Sequence, residues 1–291
     1  MNVAFAHPEG KATKIVNAFT VDVEDYFQVE AFSSVVDRAS WENRPARVVG
    51  NTERVLALLE SANARATFFV LGWVADRFPC LVRRIQASGH EVASHGYGHK
   101  LAHGQTRAKF REDVRRAKGS LEDCSGVAVR GYRAPTFSIT PANWWAYEIL
   151  MEEGYEYSSS IYPIDHDLYG MPFAPRMPFH PLEKESILEV PVATVRLFNK
   201  NRPCGGGGYF RLFPYLVSRW CIRHVNSIDR QACVFYCHPW EFDPQQPRIP
   251  SISVRSRFRH YLNISVMEHR VDKLLRDFEW GRMDQIFLGR A

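Results

Sequence analysis

Four short segments carry side chains able to do acid–base or metal chemistry. Thr20-Val21-Asp22-Val23-Glu24-Asp25-Tyr26 puts three carboxyls within four positions at the end of an apolar run. Carboxylates so close repel one another, and such a site calls for a cation or a raised pKa. His95-Gly96-Tyr97-Gly98-His99 spaces two imidazoles as H-x3-H, and a turn there, which the glycines permit, brings both to one ion. Arg130-Gly131-Tyr132-Arg133-Ala134-Pro135 offers Arg133 as a bidentate partner for a carboxylate, with Tyr132 and Pro135 beside it as candidate substrate contacts. Phe235-Tyr236-Cys237-His238-Pro239-Trp240 sets His238 between an apolar run and a tryptophan that could stack on a sugar ring. Each segment alone has a plainer reading: a solvated turn, two surface histidines, a surface arginine, a satisfied core histidine. Together, two histidines and one carboxylate make a divalent site with positions left open for water.

The elements that must position these groups alternate along the chain. Ile15 to Val23, Ala66 to Leu71, His90 to Ser94, Val127 to Arg133, Tyr155 to Ile161 and Cys233 to Cys237 read as strands, several apolar enough to be buried on both faces. Helices read between them: one capped by Asn51 or Thr52, one ending near Ser88-Gly89, Thr106 to Cys124, and Thr140-Pro141 to Glu153. Strand–helix alternation predicts an α/β fold with a parallel sheet, open or closed into a barrel, and places chemistry at the carboxyl ends of the strands. The candidate groups fall there on four separate strands, and this convergence outweighs any single motif.

The ordered set T-V-D-V-E-D-Y, S-H-G-Y-G-H, R-A-P-T-F and F-Y-C-H-P-W resembles the NodB-type polysaccharide deacetylases, carbohydrate esterase family 4, over about residues 15 to 245. The segments DVEDYFQVEAF, GGGGYFRLFPY and HPWEFDPQQPRIP resemble, more narrowly, the subgroup encoded beside bacterial exopolysaccharide loci of the exosortase (PEP-CTERM) type. The resemblance implies a distorted (β/α) barrel with fewer than eight units, a tail over 1–14, and a C-terminal extension over 246–291 packed on the barrel. It implies Asp22 as general base, His238 as general acid, Arg133 as the group that orients the base, and His95 and His99 as metal ligands. The family pairs its acids side by side, whereas here they are spread as D-V-E-D, so the third ligand is Glu24 or Asp25; relatives with D-x-D spacing favour Glu24, and on a flat strand Asp22 and Glu24 share a face. The aspartate that partners the acid histidine has no clean match, with Asp165 and Asp167 as candidates. The implied cofactor is a divalent ion, zinc before cobalt or nickel, which lowers the pKa of water from ~15.7 toward ~7. The implied reaction is removal of N-acetyl groups from an amino sugar of a bacterial polysaccharide or its lipid-linked or nucleotide-linked precursor. Two alternatives stand beside it: a metal-independent cyclic amide hydrolase of the allantoinase or imidase kind, and a non-catalytic carbohydrate-binding protein.

Composition bounds the remaining classes. The 291 residues are 45% hydrophobic and 24% charged, ordinary for a globular chain large enough for a real core. The net charge of +5 is spread among acids, and no nucleic-acid motif accompanies it. No stretch approaches the ~20 apolar residues of a membrane span, and Met1 to Gly10 lacks a signal-peptide core, so a cytoplasmic protein is expected. Among the six cysteines, Cys233 and Cys237 lie ~13 Å apart on one strand, too far for a disulfide, and all six read as reduced. Gly205 to Gly208 lacks the Lys-Ser/Thr of a phosphate loop and reads as a rim loop near the cleft. Arg255, Arg257 and Arg259 read as a solvated face, and Ser265 to Phe278 as a closing amphipathic helix.

Overall fold

The fold follows from a two-residue period. In a computed structural model that describes residues 14–182 and 187–290, strand β1 (Val16–Val23) sends Phe19, Val21 and Val23 into one apolar layer and Ala18, Thr20 and Asp22 to the other face. The first layer is filled from helices α1 (Val48–Ser61), α2 (Gly72–Arg77), α3 (Pro79–Ala87) and α4 (Arg107–Ser125). The second face is the inside of a curled sheet. Strands β2 (Thr67–Val70) and β3 (Glu91–Ser94) add Phe69 and Ala93 to that inside, and β4 (Gly131–Tyr132) and β5 (Tyr157–Ser158) continue it. Gly131 is required, because a Cβ there would stand 2.2 Å from the Tyr157 ring.

Helix α5 (Ala146–Glu152) precedes β5, and β6 (Leu188–Glu189) pairs with β5. The chain then makes a small antiparallel hairpin, β7 (Thr194–Leu197) and β8 (Lys200–Pro203), followed by helices α6 (Gly207–Leu212) and α7 (Tyr215–His224). Strand β9 (Val234–Cys237) returns beside β1, so the parallel order runs β9-β1-β2-β3-β4-β5-β6. The segment beyond β6 bends toward β9, where Ala193 N donates to Val234 O at 3.2 Å and Tyr236 N to Gly205 O at 2.6 Å. The result is a curled parallel half-barrel with helices outside, an α/β architecture with fewer than eight units.

Residues 246–290 contribute α8 (Val254–Tyr261), α9 (Met267–Asp277), β10 (Glu279–Gly281) and α10 (Met283–Leu288). This segment does more than pack on the barrel: β10 pairs in parallel with the start of β1, Val16 opposite Glu279. The N-terminal tail and the lack of a signal-peptide core that the sequence leads one to expect fall on residues outside the described ones, apart from Lys14. All six cysteines are free.

Several expectations shift by a physical cause. Helix α1 starts at Val48 rather than at Asn51 or Thr52, because the Asp25 carboxylate accepts from Arg47 N at 2.7 Å and Val48 N at 2.9 Å and caps it from far upstream. The run Val127 to Arg133 yields only a two-residue strand. The stretch Thr140 to Glu153 divides into a 3-10 turn at Pro141–Asn143 and α5. Arg255 and Arg259 on α8 are not simply solvated, since both pair with Asp167 at 2.9 Å.

Candidate metal centre and catalytic cleft

The inward period of each strand ends in a functional side chain. Ala18, Thr20 and Asp22 lead to Glu24; Glu91 and Ala93 lead to His95; Gly131 leads to Arg133; Val234 and Tyr236 lead to His238. All emerge at the carboxyl ends, where they line or underlie a cleft of about 480 Å3. Tyr132, one residue out of phase, points the other way into the helix-side core against Phe110 and Tyr155 and does not reach the cleft. Asp25 is likewise out of phase and is occupied with the α1 N-terminus, so Glu24 is the acid that joins the histidines.

Glu24, His95 and His99 each present one ligand atom, all within 4.8 Å of one another, and all three residues are buried. His99 Nε2 lies 2.8 Å from Glu24 Oε2, an oxygen with no hydrogen-bond partner. His95 Nδ1 lies 2.9 Å from the carbonyl of Arg133, which leaves Nε2 for a ligand role. A buried acceptor without a donor, facing two imidazole nitrogens, fits a divalent cation. His99 is held in the left-handed region at φ 49°, a conformation disfavoured for a side chain with a Cβ and common at functional sites. Its loop is fixed from both sides. Asp113 accepts from Tyr97 N at 2.9 Å, and Arg38 donates to the carbonyls of Gly98 and His99 at 3.0 and 2.8 Å. Burial drives the Glu24 carboxyl up, but the facing His99, with His238 and His95 behind it, together outweigh burial and leave it at about 2. Burial lowers His95 to about 4, keeping it neutral and able to ligate.

Beside this triad stands a buried ion pair. Arg133, fully buried, donates from Nη1 to Asp22 Oδ1 at 2.6 Å and to Thr20 Oγ1 at 2.8 Å. Its other nitrogens donate to the Ser159 carbonyl and hydroxyl, and its guanidinium lies 4.1 Å over the Phe69 ring. Across the cleft, His238 Nε2 lies 3.9 Å from Asp22 Oδ2 and 3.7 Å from Glu24 Oε1. Its Nδ1 lies 2.9 Å from Glu241 Oε1. Burial favours neutral His238, yet Glu241 and the other carboxylates raise it to about 9. Glu241 takes the place expected of Asp165 or Asp167: Asp165 is exposed, and Asp167 is engaged by Arg255 and Arg259. The signal for Glu241 was its i+3 spacing from His238 across a turn opened by Pro239.

Trp240 lines the cleft but has no free face for a sugar. Its ring lies between His238 at 5.0 Å and His260 at 4.0 Å, and Nε1 donates to Glu24 Oε1 at 3.1 Å. Pro135 is buried, while its neighbours Ala134, Thr136 and Phe137 reach the cleft. The glycine run does approach the site: Gly208 lines the cleft, and a Cβ on Gly207 would stand 2.1 Å from Glu241 Oε2.

Residues 39–152 match the polysaccharide deacetylase family model, and residues 159–288 match a domain of unknown function, DUF3473. Over residues 39–152 the chain is thus similar to the polysaccharide deacetylases. The two matched segments share one sheet, since the second supplies β9, which leads to His238, and also β10, both paired with β1, and β1 pairs in turn with β2 of the first. Over 122 residues the chain is 32% identical to the peptidoglycan deacetylase of Helicobacter pylori, covering 40% of this chain and 39% of that protein. It therefore spans about two fifths of the length of that curated relative. Among solved structures, a Mycobacterium smegmatis protein assigned to the polysaccharide deacetylases matches with TM-score 0.60 and 22% identity over 97% of this chain and 91% of the other. The Puue allantoinase matches equally well in fold, with TM-score 0.60 and 16% identity over 97% and 92% of the two chains. No helix among the described residues is long and apolar enough to cross a membrane.

Proposed function

We propose that this chain is a metal-dependent hydrolase that removes N-acetyl groups from an amino sugar of a bacterial polysaccharide or its precursor. One observation carries the reading: a carboxylate held by a buried arginine and an imidazole held by a buried glutamate face each other across a cleft beside a two-histidine, one-carboxylate cluster. Base, acid and ligand set thus share one opening. The H. pylori peptidoglycan deacetylase supports the substrate class. The motifs DVEDYFQVEAF, GGGGYFRLFPY and HPWEFDPQQPRIP favour an exopolysaccharide of the exosortase-associated kind.

Glu24, His95 and His99 would hold the ion, and their donor set suits zinc, with cobalt or nickel able to substitute. Such an ion supplies Lewis acidity to a carbonyl oxygen and to water. The chain's own residues do the rest. Asp22, aimed by Arg133, accepts the proton of the attacking water. Arg133 cannot swing away, because Thr20, Ser159 and Phe69 fix it on three sides. His238, kept protonated by Glu241, delivers a proton to the departing amine; without that proton the tetrahedral adduct would expel water rather than amine. Trp240 occupies Oε1 of Glu24 and leaves Oε2 toward the histidines.

The test pairs metal content with acetate release from N-acetylglucosamine oligomers, for wild type and His95→Ala. One divalent ion per chain, lost in the variant together with acetate release, is the expected result. Metal without acetate release would move the substrate to another acylated sugar. Hydrolysis of a cyclic amide by metal-free protein would replace the reading with the allantoinase-like one.

A further inference from the structure

We infer that the face formed by the β7–β8 hairpin and helix α7 docks on an anionic membrane surface, with Phe198 and Phe173 entering the headgroup region. The hairpin turns through Phe198 and Asn199, both at positive φ (49° and 60°). Two-residue turns of this hand favour Asn-Gly because a Cβ is strained there. A phenylalanine in that position gains nothing from packing, since its side chain is 95% exposed. Neither local conformation nor burial explains the residue, which points to a role outside the monomer. Phe173 is 99% exposed, and Trp220, Val217 and Phe213 present further apolar surface in the same hollow.

Charge selects the occupant. From Val190 through Ile228 the sequence contains no acidic residue and six arginines or lysines. Arg196, Lys200 and Arg202 line the hollow with the aromatics and outnumber the exposed Asp165 that lines it too; all three are exposed, and among the described residues no carboxylate lies within ion-pair distance of them. Single rings carried on loop tips and flanked by exposed cations match what inserts at an anionic lipid interface, where each cation near the surface adds attraction and each buried ring adds apolar transfer. A protein partner would be better served by a contiguous, flat patch with central burial. The hollow adjoins the catalytic cleft at Tyr209, which lines both, so docking by this face would hold the cleft mouth close to the bilayer.

The experiment is co-sedimentation of the full chain with vesicles of phosphatidylcholine alone and of phosphatidylcholine with phosphatidylglycerol, in low and in physiological salt. Binding is expected only to the anionic vesicles and should weaken as salt rises. Phe173→Ser with Phe198→Ser, and separately Lys200→Glu with Arg202→Glu, should each weaken it by about tenfold or more. Because these side chains are exposed, the thermal midpoint of each variant should stay near that of wild type. Absence of vesicle binding by wild type, or binding untouched by both double variants, overturns the inference. Binding to a soluble acidic polysaccharide that is lost in the charge-reversed variant, with no binding to anionic vesicles, overturns it in favour of an anionic polymer.

Discussion

Arg133 Nη1 and Asp22 Oδ1 meet at 2.6 Å at the ends of two strands that do not pair with each other, inside the curled sheet rather than on its surface. A buried pair of this kind is asymmetric: removing one partner leaves an uncompensated charge, and the loss is typically about 3–5 kcal/mol. Arg133→Met should therefore lower the thermal midpoint substantially. Asp22→Asn also leaves the Arg133 charge uncompensated and should lower the thermal midpoint, but it keeps shape and a hydrogen bond and should fold, while losing roughly 10^2 to 10^4 in acetate release. Metal content of Asp22→Asn should equal that of wild type. An Asp22→Asn protein with full activity would remove Asp22 from the role of base.

Glu24 and Asp25 are adjacent carboxyls with opposite assignments, and one pair of substitutions separates them. Glu24→Gln should fold and lose the bound ion, since it removes the only carboxylate in the cluster with His95 and His99. Asp25→Ala should keep one ion per chain but lose about 1 kcal/mol or more of stability, because the N–H groups of Arg47 and Val48 lose their acceptor. Metal loss in Asp25→Ala with retention in Glu24→Gln would reverse the two roles.

His238 leans on Glu241, and Gly207 leaves the room in which Glu241 sits. Since His238 is raised to about 9, the protonated form persists through neutral pH and is lost as pH rises past that value. The alkaline limb of the rate profile should follow that loss. Glu241→Gln removes the charge that raises His238 and should move the limb down by about one unit or more. Gly207→Ala, whose methyl would displace the same carboxylate, should move the limb the same way without changing metal content. If Glu241→Gln lowers the rate uniformly and leaves the limb in place, His238 is not the group that titrates there.

How much of this was legible in the sequence depends on whether the determining contact is local. The apolar runs before Asp22, His95 and His238 announced their strands, and the inward period brought Asp22, Glu24, His95, Arg133 and His238 together. The same period, followed one position further, separates Tyr132 and Asp25 from the cleft. Glu24 could be preferred over Asp25 from strand alternation, but the task Asp25 performs could not be read, because its partners Arg47 and Val48 lie across the fold. Trp240 looked available to a sugar until His260, from the C-terminal segment, covered its second face. The hairpin β7–β8 escaped notice because its turn, Phe198-Asn199, lacks the glycine that marks such turns, and β8, Lys200–Pro203, has no apolar alternation. Strand β10 is three residues long and owes its state to β1, 263 positions away at the pairing of Val16 with Glu279.

At the opposite end of the barrel from the cleft, Glu91 makes a prediction about stability alone. Its carboxyl accepts from Thr67 Oγ1 at 2.6 Å, from Tyr157 OH at 2.9 Å and from Asp284 N at 3.1 Å, which fastens α10 beneath the sheet. Burial, followed by the charge of Asp284, raises it from the ordinary carboxylate range to about 7. A carboxyl raised in the folded state binds a proton there that the unfolded chain has already released. Its contribution to stability is therefore complete below about pH 4.5 and declines as pH rises to about 7. Denaturant unfolding of wild type should show stability falling from pH 5 to pH 8 through this group. Glu91→Gln, neutral throughout, should flatten that slope and gain on wild type at pH 8 relative to pH 5. A slope unchanged by Glu91→Gln would mean that the proton is carried elsewhere, with Asp284 the next residue to substitute.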